Sequence, residues 1–248
     1  MSNPMAIIRR QINASKADLD AYLPKSMGWH GRALQTSEMV VPWLCQNAGI
    51  ICGFVQEVCN SPGQLRLLWE NLRKQQDLGN LGTQINRLLG YEMILVSEIA
   101  GDVVSRVLTD YIIGIFPKNN LKANGKSDFP DLYLNSKNYA GLPLFSRSNT
   151  NFGAAMKGGR PARVPDGIEI KTCGPTVRVD CHHPHMGLHI ALCQTGEPGN
   201  VRVVDLMAGF LRSSDYRESK RATTATTVKF SFGSDKFVSM LSEPRSVT

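Results

Sequence analysis

The segment from Ile168 to Thr172 reads Ile-Glu-Ile-Lys-Thr and alternates apolar with polar side chains. Successive side chains of a β-strand point to opposite faces of its sheet, so this pattern predicts a strand with one buried face. Ile168 and Ile170 are expected to point into the core, while Glu169 and Lys171 share the opposite face. Burial of a carboxylate and an ammonium group on an apolar strand costs free energy, unless the groups are exposed to solvent or have a functional role. The segment therefore predicts a sheet with one apolar face and a candidate site on the other.

The apolar periodicity of the chain changes between its two halves. The first half has helical spacing, which predicts a short helix capped by Ser15, an apolar helix that starts near Pro42 or forms a kinked pair, a helix over 64–77 and a long helix over 79–113 that Gly101 can divide. The second half has five strand-like segments: Leu132–Leu134, Ile168–Thr172, Leu188–Cys193, Val201–Leu206 and Val228–Phe232. These patterns predict an α/β fold, with a mainly helical region over 1–80 and a sheet-containing core over 81–248.

Composition agrees with an ordered intracellular protein. Hydrophobic residues make up 42% of the 248 positions and charged residues 20%, which is typical of a globular core and not of a disordered chain. We expect no membrane span and a cytoplasmic location, because the sequence has neither a long apolar run nor a signal-peptide pattern near Met1. Cys45, Cys52 and Cys59 recur every seven residues and are expected to be buried free thiols on one helix face.

The net charge of +7 is concentrated in parts of the chain. Residues 1–117 hold ten basic and ten acidic side chains, and residues 164–200 hold two basic and four acidic ones. In contrast, residues 118–163 hold eight basic against two acidic side chains, and residues 201–248 hold eight against five. Positive charge thus flanks Glu169 and Lys171 in sequence, which indicates a bound polyanion. The alternative is a solvated basic loop.

A second acidic motif, Pro130-Asp131, begins a predicted strand upstream. Carboxylate oxygens are the ligands that Mg²⁺ prefers, and a neighbouring lysine can help to hold a hydroxide ion or a phosphate. Pro130-Asp131 followed by Glu169-Ile170-Lys171 resembles the PD-(D/E)xK motif of type II restriction endonucleases and related repair nucleases. The strand from Ile168 to Thr172 is similar to the one in the mismatch-repair nuclease and in restriction enzymes related to it. The resemblance covers roughly residues 98–193.

The resemblance implies a restriction-endonuclease-like core, in which a central mixed β-sheet is flanked by helices. It implies catalytic roles for Asp131, Glu169 and Lys171. It also implies an Mg²⁺ site, with Mn²⁺ as a substitute, formed by Asp131, Glu169, Ile170 and a glutamate of the preceding helix. Glu98 is the preferred helix glutamate and Glu92 the alternative. Six positions on a helix correspond to about 600°, so only one of the two can face the site.

The aspartate that completes the metal site has two candidates. Asp131 begins a strand, as the family pattern implies, and pairing of that strand can bring it beside Glu169 despite an interval of 38 residues. Asp166 lies three residues before Glu169, so it projects to the opposite strand face unless Gly167 forms a bulge. Asp166 also fits a turn in Pro165-Asp166-Gly167. We favour Asp131.

Candidate DNA-binding residues flank the motif. The long connection over 135–164 is expected to be an inserted DNA-recognition loop, because Arg and Asn side chains read base edges and glycines allow close approach of the backbone. Basic and hydroxyl side chains near residue 220 suit phosphate contacts. The residues predicted to bind DNA are Arg147, Asn149, Asn151, Lys157, Arg160, Arg163, Arg178, His183, His185, Arg217, Lys220 and Arg221. Either cluster can instead be plain surface.

Four of the five histidines fall between His182 and His189, near Cys173, Cys181 and Cys193. This density raises the question of a zinc site, but the paired C-x₂-C spacing of zinc ribbons and fingers is missing. Two further interpretations are an imidazole that contacts the phosphate or a base, and loop histidines that lie near buried thiols.

These observations predict a type II restriction endonuclease that hydrolyses phosphodiester bonds in double-stranded DNA at a short specific sequence with Mg²⁺. Palindromic sites are read by two-fold symmetric proteins, so we expect a homodimer, with region 1–80 as the interface or as a clamp on DNA. The alternatives are a DNA repair or nicking nuclease with the same chemistry, and a non-catalytic DNA-binding module in which Glu169 and Lys171 form only an ion pair.

Overall fold

The structure is a computed structural model, and it describes eleven stretches of the chain: residues 3–22, 29–64, 97–117, 120–123, 131–134, 167–177, 179–181, 187–196, 199–219, 229–232 and 234–242. The predicted helix over 64–77, the first part of the predicted helix over 79–113 and the predicted recognition loop over 135–164 lie almost entirely outside these stretches. The described residues contain four α-helices and nine β-strands.

The helices occupy the first part of the described chain: α1 Pro4–Ala14, α2 Lys16–Tyr22, α3 Trp29–Cys59 and α4 Ser97–Ile115. Asn3 caps α1, since its side-chain oxygen accepts from the backbone N–H of Ala6 at 3.3 Å, and Pro4 occupies the first turn, where its missing N–H costs nothing. Ser15 separates α1 from α2 at the predicted cap position, and its hydroxyl donates to the carbonyl oxygen of Gln11 in α1 at 2.7 Å. Helix α4 runs through Gly101 without a break.

Helix α3 continues through Pro42, so the prediction of a helix that starts near Pro42 or of a kinked pair was wrong. A proline in a helix interior costs about 3 kcal/mol, because it removes a hydrogen bond and crowds the preceding turn. Here Pro42 is exposed, while Val40, Val41 and Leu44 on both sides of it are fully buried. Burial of a large aliphatic side chain contributes about 1.5–3 kcal/mol each, which exceeds the cost of the proline.

The length and composition of α3 would also allow it to cross a membrane, over His30–Cys59. A core helix of a soluble protein satisfies the same criterion, and one face of α3 packs into the core of this structure. Cys52 and Cys59 lie on that buried face as free thiols and Cys45 lies half-buried, as their seven-residue spacing predicted.

Six strands form a mixed sheet in the order β1-β2-β3-β5-β6-β9. Their bounds are β1 Leu121–Ala123, β2 Leu132–Leu134, β3 Ile168–Cys173, β5 Gly187–Thr195, β6 Arg202–Leu211 and β9 Val238–Ser239. Strands β3 and β5 are parallel, and all other neighbours are antiparallel. A smaller antiparallel sheet has the order β4-β8-β7, formed by β4 Val179–Cys181, β8 Lys229–Phe232 and β7 Arg217–Ser219.

The five predicted strands are all present, and β5 and β6 are longer than predicted. Four strands of two or three residues, β1, β4, β7 and β9, were not predicted. The connection between the parallel strands β3 and β5 is short. Parallel strands need a crossover of about a dozen residues, which is usually helical. Here 13 residues separate them, and the described part of this connection contains β4.

The main core lies between one face of the larger sheet and the helices. Ile168 and Ile170 of β3, Leu188 and Ile190 of β5, and Phe210 of β6 point to this face and are at most 3% exposed. Helix α4 packs against β3, whereas α1 and α3 pack against β6. The helical region and the sheet therefore share one hydrophobic core. The α/β class is shown by this layered arrangement.

Side-chain amides from the helices complete the outer edge of β6, which β9 covers only at Met207 and Ala208. Gln11 of α1 accepts from the N–H of Phe210 at 2.9 Å. Gln56 of α3 accepts from the N–H of Val203 at 3.0 Å. Asn60, just after α3, bonds both the N–H and the carbonyl oxygen of Val201. These side-chain amides bond backbone groups that a neighbouring strand would otherwise bond. Unpaired backbone groups at a sheet edge can pair with another chain, and these bonds prevent it.

Candidate active site

The antiparallel pairing of β2 with β3 brings Asp131 to the middle of β3. Asp131 directly precedes β2, and Leu132 is the register partner of Ile168. The Oδ2 atom of Asp131 accepts a hydrogen bond from the backbone N–H of Ile170 at 2.7 Å. Ile170 lies between Glu169 and Lys171, so the three polar residues of the motif converge although Asp131 is distant in sequence. Asp166, the alternative, lies outside the described residues.

Glu169 and Lys171 share the face of β3 that points away from the helices, as strand alternation predicted. Their side chains form an ion pair, with Nζ of Lys171 2.5 Å from Oε1 of Glu169. Glu169 is only 5% exposed, and the side chain of Lys171 is 20% exposed. A carboxylate that is removed from water needs such a partner, because an unpaired buried charge is strongly destabilising.

The surroundings of Asp131 disfavour its ionised form. Burial and, to a smaller extent, the charge of Glu169 raise the pKa of Asp131 to about 7. The ammonium group of Lys171 and the hydrogen bond from Ile170 act in the opposite direction and lower the pKa of Asp131. Two carboxyl groups therefore face one cation, and the second carboxyl group holds its proton up to near-neutral pH. A second cation at this place would relieve the repulsion.

The donor set fits Mg²⁺ better than zinc. Mg²⁺ is usually bound by one or two carboxylates together with water and phosphate, and Asp131 and Glu169 supply two carboxylates. Structural zinc sites use four Cys or His ligands. No group of three or more His, Cys, Asp or Glu side chains suited to a metal ion occurs in the part of the chain that the structure describes. The described residues thus offer two carboxyl groups to a hard cation and no larger ligand cluster.

His189 is the residue of the histidine cluster that the structure brings to this site. It is the register partner of Glu169 on β5, and it is fully buried. Its Nδ1 lies 2.9 Å from the carbonyl oxygen of Gly187, and its Nε2 lies 2.9 Å from the hydroxyl of Tyr216. Both ring nitrogens thus have protein partners, which does not suit a zinc ligand. His183 and His185 lie outside the described residues.

Sequence reasoning missed Tyr216 and the turn that holds it. Asp215 of this turn accepts from the backbone N–H of Arg212 at 2.7 Å, and its other oxygen lies 3.5 Å from the Arg212 guanidinium and 3.4 Å from Nζ of Lys236. Asp215 ends the short 3-10 helix Ser213–Asp215 and reaches back to the N–H of the residue before it, as the acidic residue of a capping box does. Nothing in the sequence pairs Tyr216 with His189, because the contact depends on strand register.

A second hydrophobic cluster covers the same sheet face beyond Lys171. Cys173 and Cys193 are register partners, with Sγ atoms 3.5 Å apart, and both are free buried thiols. The hydrogen bond between Cys193 and Cys173 and burial raise the pKa of Cys193. Tyr216 and Phe237 belong to this cluster as well. Cys173 and Cys193, which border the histidine cluster in sequence, are therefore packing residues.

The other predicted site residues are described only in part or not at all. Glu98 lies in the first turn of α4, the helix that packs against β3, and Arg217 begins β7. The structure describes the backbone of both and not their side chains. The remaining ones lie outside the described stretches: Glu92, Arg147, Asn149, Asn151, Lys157, Arg160, Arg163, Arg178, His183, His185, Lys220 and Arg221.

Comparisons of the chain with known protein families, with curated proteins and with solved structures gave no match. The candidate site accordingly rests on its own geometry: a buried carboxylate and a lysine on one strand face, and a second carboxyl group hydrogen-bonded to the backbone between them.

Proposed function

We propose that this protein is a Mg²⁺-dependent endonuclease that hydrolyses phosphodiester bonds in double-stranded DNA. The observation that carries the proposal is the hydrogen bond from the Ile170 amide to Asp131, which gathers Asp131, Glu169 and Lys171 at one point of the sheet. A structural ion pair needs only Glu169 and Lys171. Once Asp131 ionises, the added carboxyl group puts two carboxylates beside one ammonium group, and a bound divalent cation would offset the extra charge.

Each residue of the site has a distinct role in this proposal. Asp131 and Glu169 would hold Mg²⁺ through carboxylate oxygens, with the carbonyl oxygen of Ile170 as a further ligand and a glutamate of α4, Glu98, as a candidate fourth. Bound Mg²⁺ supplies a water of lowered pKa and stabilises the negative charge that develops on the phosphate. Lys171 would orient the attacking water or contact the phosphate. The burial of Glu169 strengthens these electrostatic interactions.

The charge distribution supports DNA as the substrate. Residues 118–163 and 201–248, which flank β3 in sequence, carry the net positive charge of the chain. Within the described residues, Arg212 and Lys236 are about one-third exposed and lie beside the turn that holds Tyr216. Positive side chains around a negative metal site are what a phosphate backbone requires. The restriction-endonuclease-like core, sequence specificity, a homodimer and a cytoplasmic location belong to the same proposal.

The test is digestion of supercoiled plasmid DNA with Mg²⁺, in parallel with EDTA. We expect discrete linear fragments with Mg²⁺ and none with EDTA. Glu169→Gln and Lys171→Met should abolish cleavage and retain DNA binding, because they change the reacting groups and not the basic surface. Glu38→Gln is the matched control, since it breaks an exposed ion pair with Arg9 in the helical layer. It should cleave like the wild type.

Each other outcome has a defined meaning. Open-circular product without linear fragments would indicate a nicking nuclease of the same chemistry and not a restriction enzyme. DNA binding without any cleavage would indicate a non-catalytic DNA-binding module and not an enzyme. Cleavage by Glu169→Gln at the wild-type rate would remove Glu169 from the mechanism and refute the proposal.

A further inference from the structure

A row of three residues leads across the larger sheet from the candidate active site to β6. Glu169 of β3, His189 of β5 and Gly209 of β6 are successive register partners, so they share the face that points away from the helices. Neighbouring strands are about 4.8 Å apart, which places Gly209 about 10 Å from Glu169. The backbone at Lys236 lies directly over Gly209, because a Cβ added there would collide with the Lys236 carbonyl oxygen. Lys236 therefore lies close to the candidate site, on the same sheet face.

The carboxylate of Asp215 holds two cations at this place. Its Oδ1 atom lies 3.5 Å from the Arg212 guanidinium and 3.4 Å from Nζ of Lys236. Its Oδ2 atom accepts from the backbone N–H of Arg212 at 2.7 Å, which fixes the orientation of the carboxylate. The Asp215 side chain is 6% exposed, whereas the side chains of Arg212 and Lys236 are 33% and 34% exposed. A buried carboxylate thus holds two cations that remain in contact with solvent.

The contacts of the two cations with Asp215 are longer than ordinary charge-assisted hydrogen bonds. Such bonds are usually about 2.7–2.9 Å long, and the exposed pair of Arg9 with Glu38 has this length, 2.9 Å. The contacts of 3.4 and 3.5 Å with Asp215 are ionic contacts without a short hydrogen bond. Because Arg212 and Lys236 carry several N–H donors each, they keep donors for another acceptor. Two cations and one carboxylate also have a net positive charge, which suits an anion.

We propose that Arg212 and Lys236, held together by Asp215, form a cation pair that binds one phosphate of the DNA backbone a few nucleotides from the scissile bond. The inference rests on DNA as the substrate in the proposed function. Both cations lie within 3.5 Å of one oxygen atom, so they are close enough together to contact a single phosphate group. A DNA strand carries one phosphate for about every 3.4 Å of its axis. A duplex bound at Glu169 therefore has a phosphate within reach of a cation pair about 10 Å away.

The test measures how salt changes DNA binding by the full-length protein, with EDTA present so that no DNA is cleaved. Binding of a fluorescent duplex is followed by anisotropy between about 50 and 200 mM NaCl. The triple variant carries Arg212→Met, Asp215→Asn and Lys236→Met, because removal of the cations alone would leave a buried carboxylate without a partner. Arg9→Met is the matched control. It lowers the net charge by the same amount, and its exposed ion pair with Glu38 lies in the helical layer.

We expect the triple variant to lose one phosphate contact and Arg9→Met to lose none. Each phosphate contact contributes about −0.9 to the slope of the logarithm of the binding constant against the logarithm of the salt concentration. The slope of the triple variant should therefore be smaller by about 0.9. If the loss of affinity is zero at about 1 M salt, it is about 15-fold at about 50 mM NaCl and about 4-fold at about 200 mM. Duplexes of unrelated sequence should show the same loss, because phosphate contacts do not read sequence.

A chemical measurement on the wild type covers the case in which the triple variant does not fold. Lysine side chains are acetylated in the absence and in the presence of duplex DNA, and mass spectrometry measures the acetylation of each lysine. We expect bound DNA to reduce the acetylation of Lys236 and to leave that of Lys16, which begins α2 in the helical layer, unchanged. If Lys236 only stabilised the fold through Asp215, bound DNA would not change its acetylation.

The outcomes separate this inference from the proposed nuclease. A wild-type salt slope in the triple variant, or a Lys236 that DNA does not protect, overturns the cation pair and leaves the nuclease intact if the wild type cleaves DNA. The expected slope and protection, in a wild type that cleaves no DNA, support the cation pair and overturn the nuclease. An equal loss of slope in Arg9→Met means that net charge alone governs binding, and it overturns the cation pair. A wild type that binds no DNA overturns both proposals.

Discussion

Replacement of Asp131 by asparagine should stabilise the metal-free protein at alkaline pH. Asparagine keeps the shape of the side chain and an oxygen that can accept from the Ile170 amide, but it removes the charge that faces Glu169. The pKa of Asp131 is raised from 3.8 to about 7. A tenfold change in an acid dissociation constant corresponds to about 1.4 kcal/mol, so the ionised carboxylate costs the folded protein up to about 4 kcal/mol above pH 7.

The pH dependence has a definite sign. Between about pH 4 and pH 7 the folded protein holds a proton on Asp131 that the unfolded chain has released. The stability that this proton contributes is present at low pH and is lost as the pH rises through about 7. Between pH 5 and pH 8 the corresponding loss in the free energy of unfolding is up to about 3 kcal/mol. The stabilising effect of Asp131→Asn should therefore grow over this range.

The assays are urea unfolding and thermal unfolding, each followed by tryptophan fluorescence with EDTA present, at pH 5 and at pH 8. A stabilisation of about 1 kcal/mol, one quarter of the largest effect expected for Asp131→Asn, shifts the Tm of a protein of this size by about 2–4 °C, which is measurable. Asp110→Asn is the matched control, because it removes a carboxylate from an exposed ion pair with Arg106, and such pairs contribute about 0.5 kcal/mol or less. An Asp131→Asn protein that is less stable than the wild type at pH 8, or a difference that does not grow with pH, refutes the reasoning.

Two further predictions concern the same sheet face. Mg²⁺ at 100 times its Kd should raise the free energy of unfolding of the wild type by about 2.7 kcal/mol at pH 8 and leave that of Glu169→Gln unchanged. Thermal denaturation measures both values. Equal stabilisation of the two proteins would mean that the ion binds elsewhere. Gly209→Ala should lower the free energy of unfolding in urea by about 1–3 kcal/mol, because the added Cβ collides with the Lys236 backbone. In the control Gly53→Ala on α3, the added Cβ has no neighbour within 4 Å, and the free energy of unfolding should rise by about 0.5–1 kcal/mol. A Gly209→Ala protein as stable as the wild type would contradict the close approach of these backbones.

The long elements of the fold were predictable because their patterns are strong. Alternation over Ile168–Thr172 is sufficient to assign the two faces of β3, and the apolar runs locate β5 and β6. Strands of two or three residues, such as β1 and β9, are too short to show a period. The continuity of α3 through Pro42 could not be predicted, because it depends on burial of both flanks against the sheet, which local propensity does not contain.

The candidate site was predictable to the extent that it lies on one strand. Glu169 and Lys171 follow from alternation alone. Asp131 followed from a resemblance, and its position beside Glu169 depends on the pairing of β2 with β3. His189 and Tyr216 could not be paired in advance, because strand register and a turn held by Asp215 bring them together. In the sequence, His189 belongs to a histidine cluster that raised the question of a zinc site.

The side-chain amides along the outer edge of β6 have a consequence for how the chain folds. Phe210, Val203 and Val201 of this edge are separated from Gln11, Gln56 and Asn60 by 199, 147 and 141 residues. The apolar faces of α1 and α3 therefore remain without their final partner until residue 210 has been synthesised. Contacts of such high sequence separation slow folding and expose hydrophobic surface during synthesis, so productive folding of this chain should depend on chaperones and temperature.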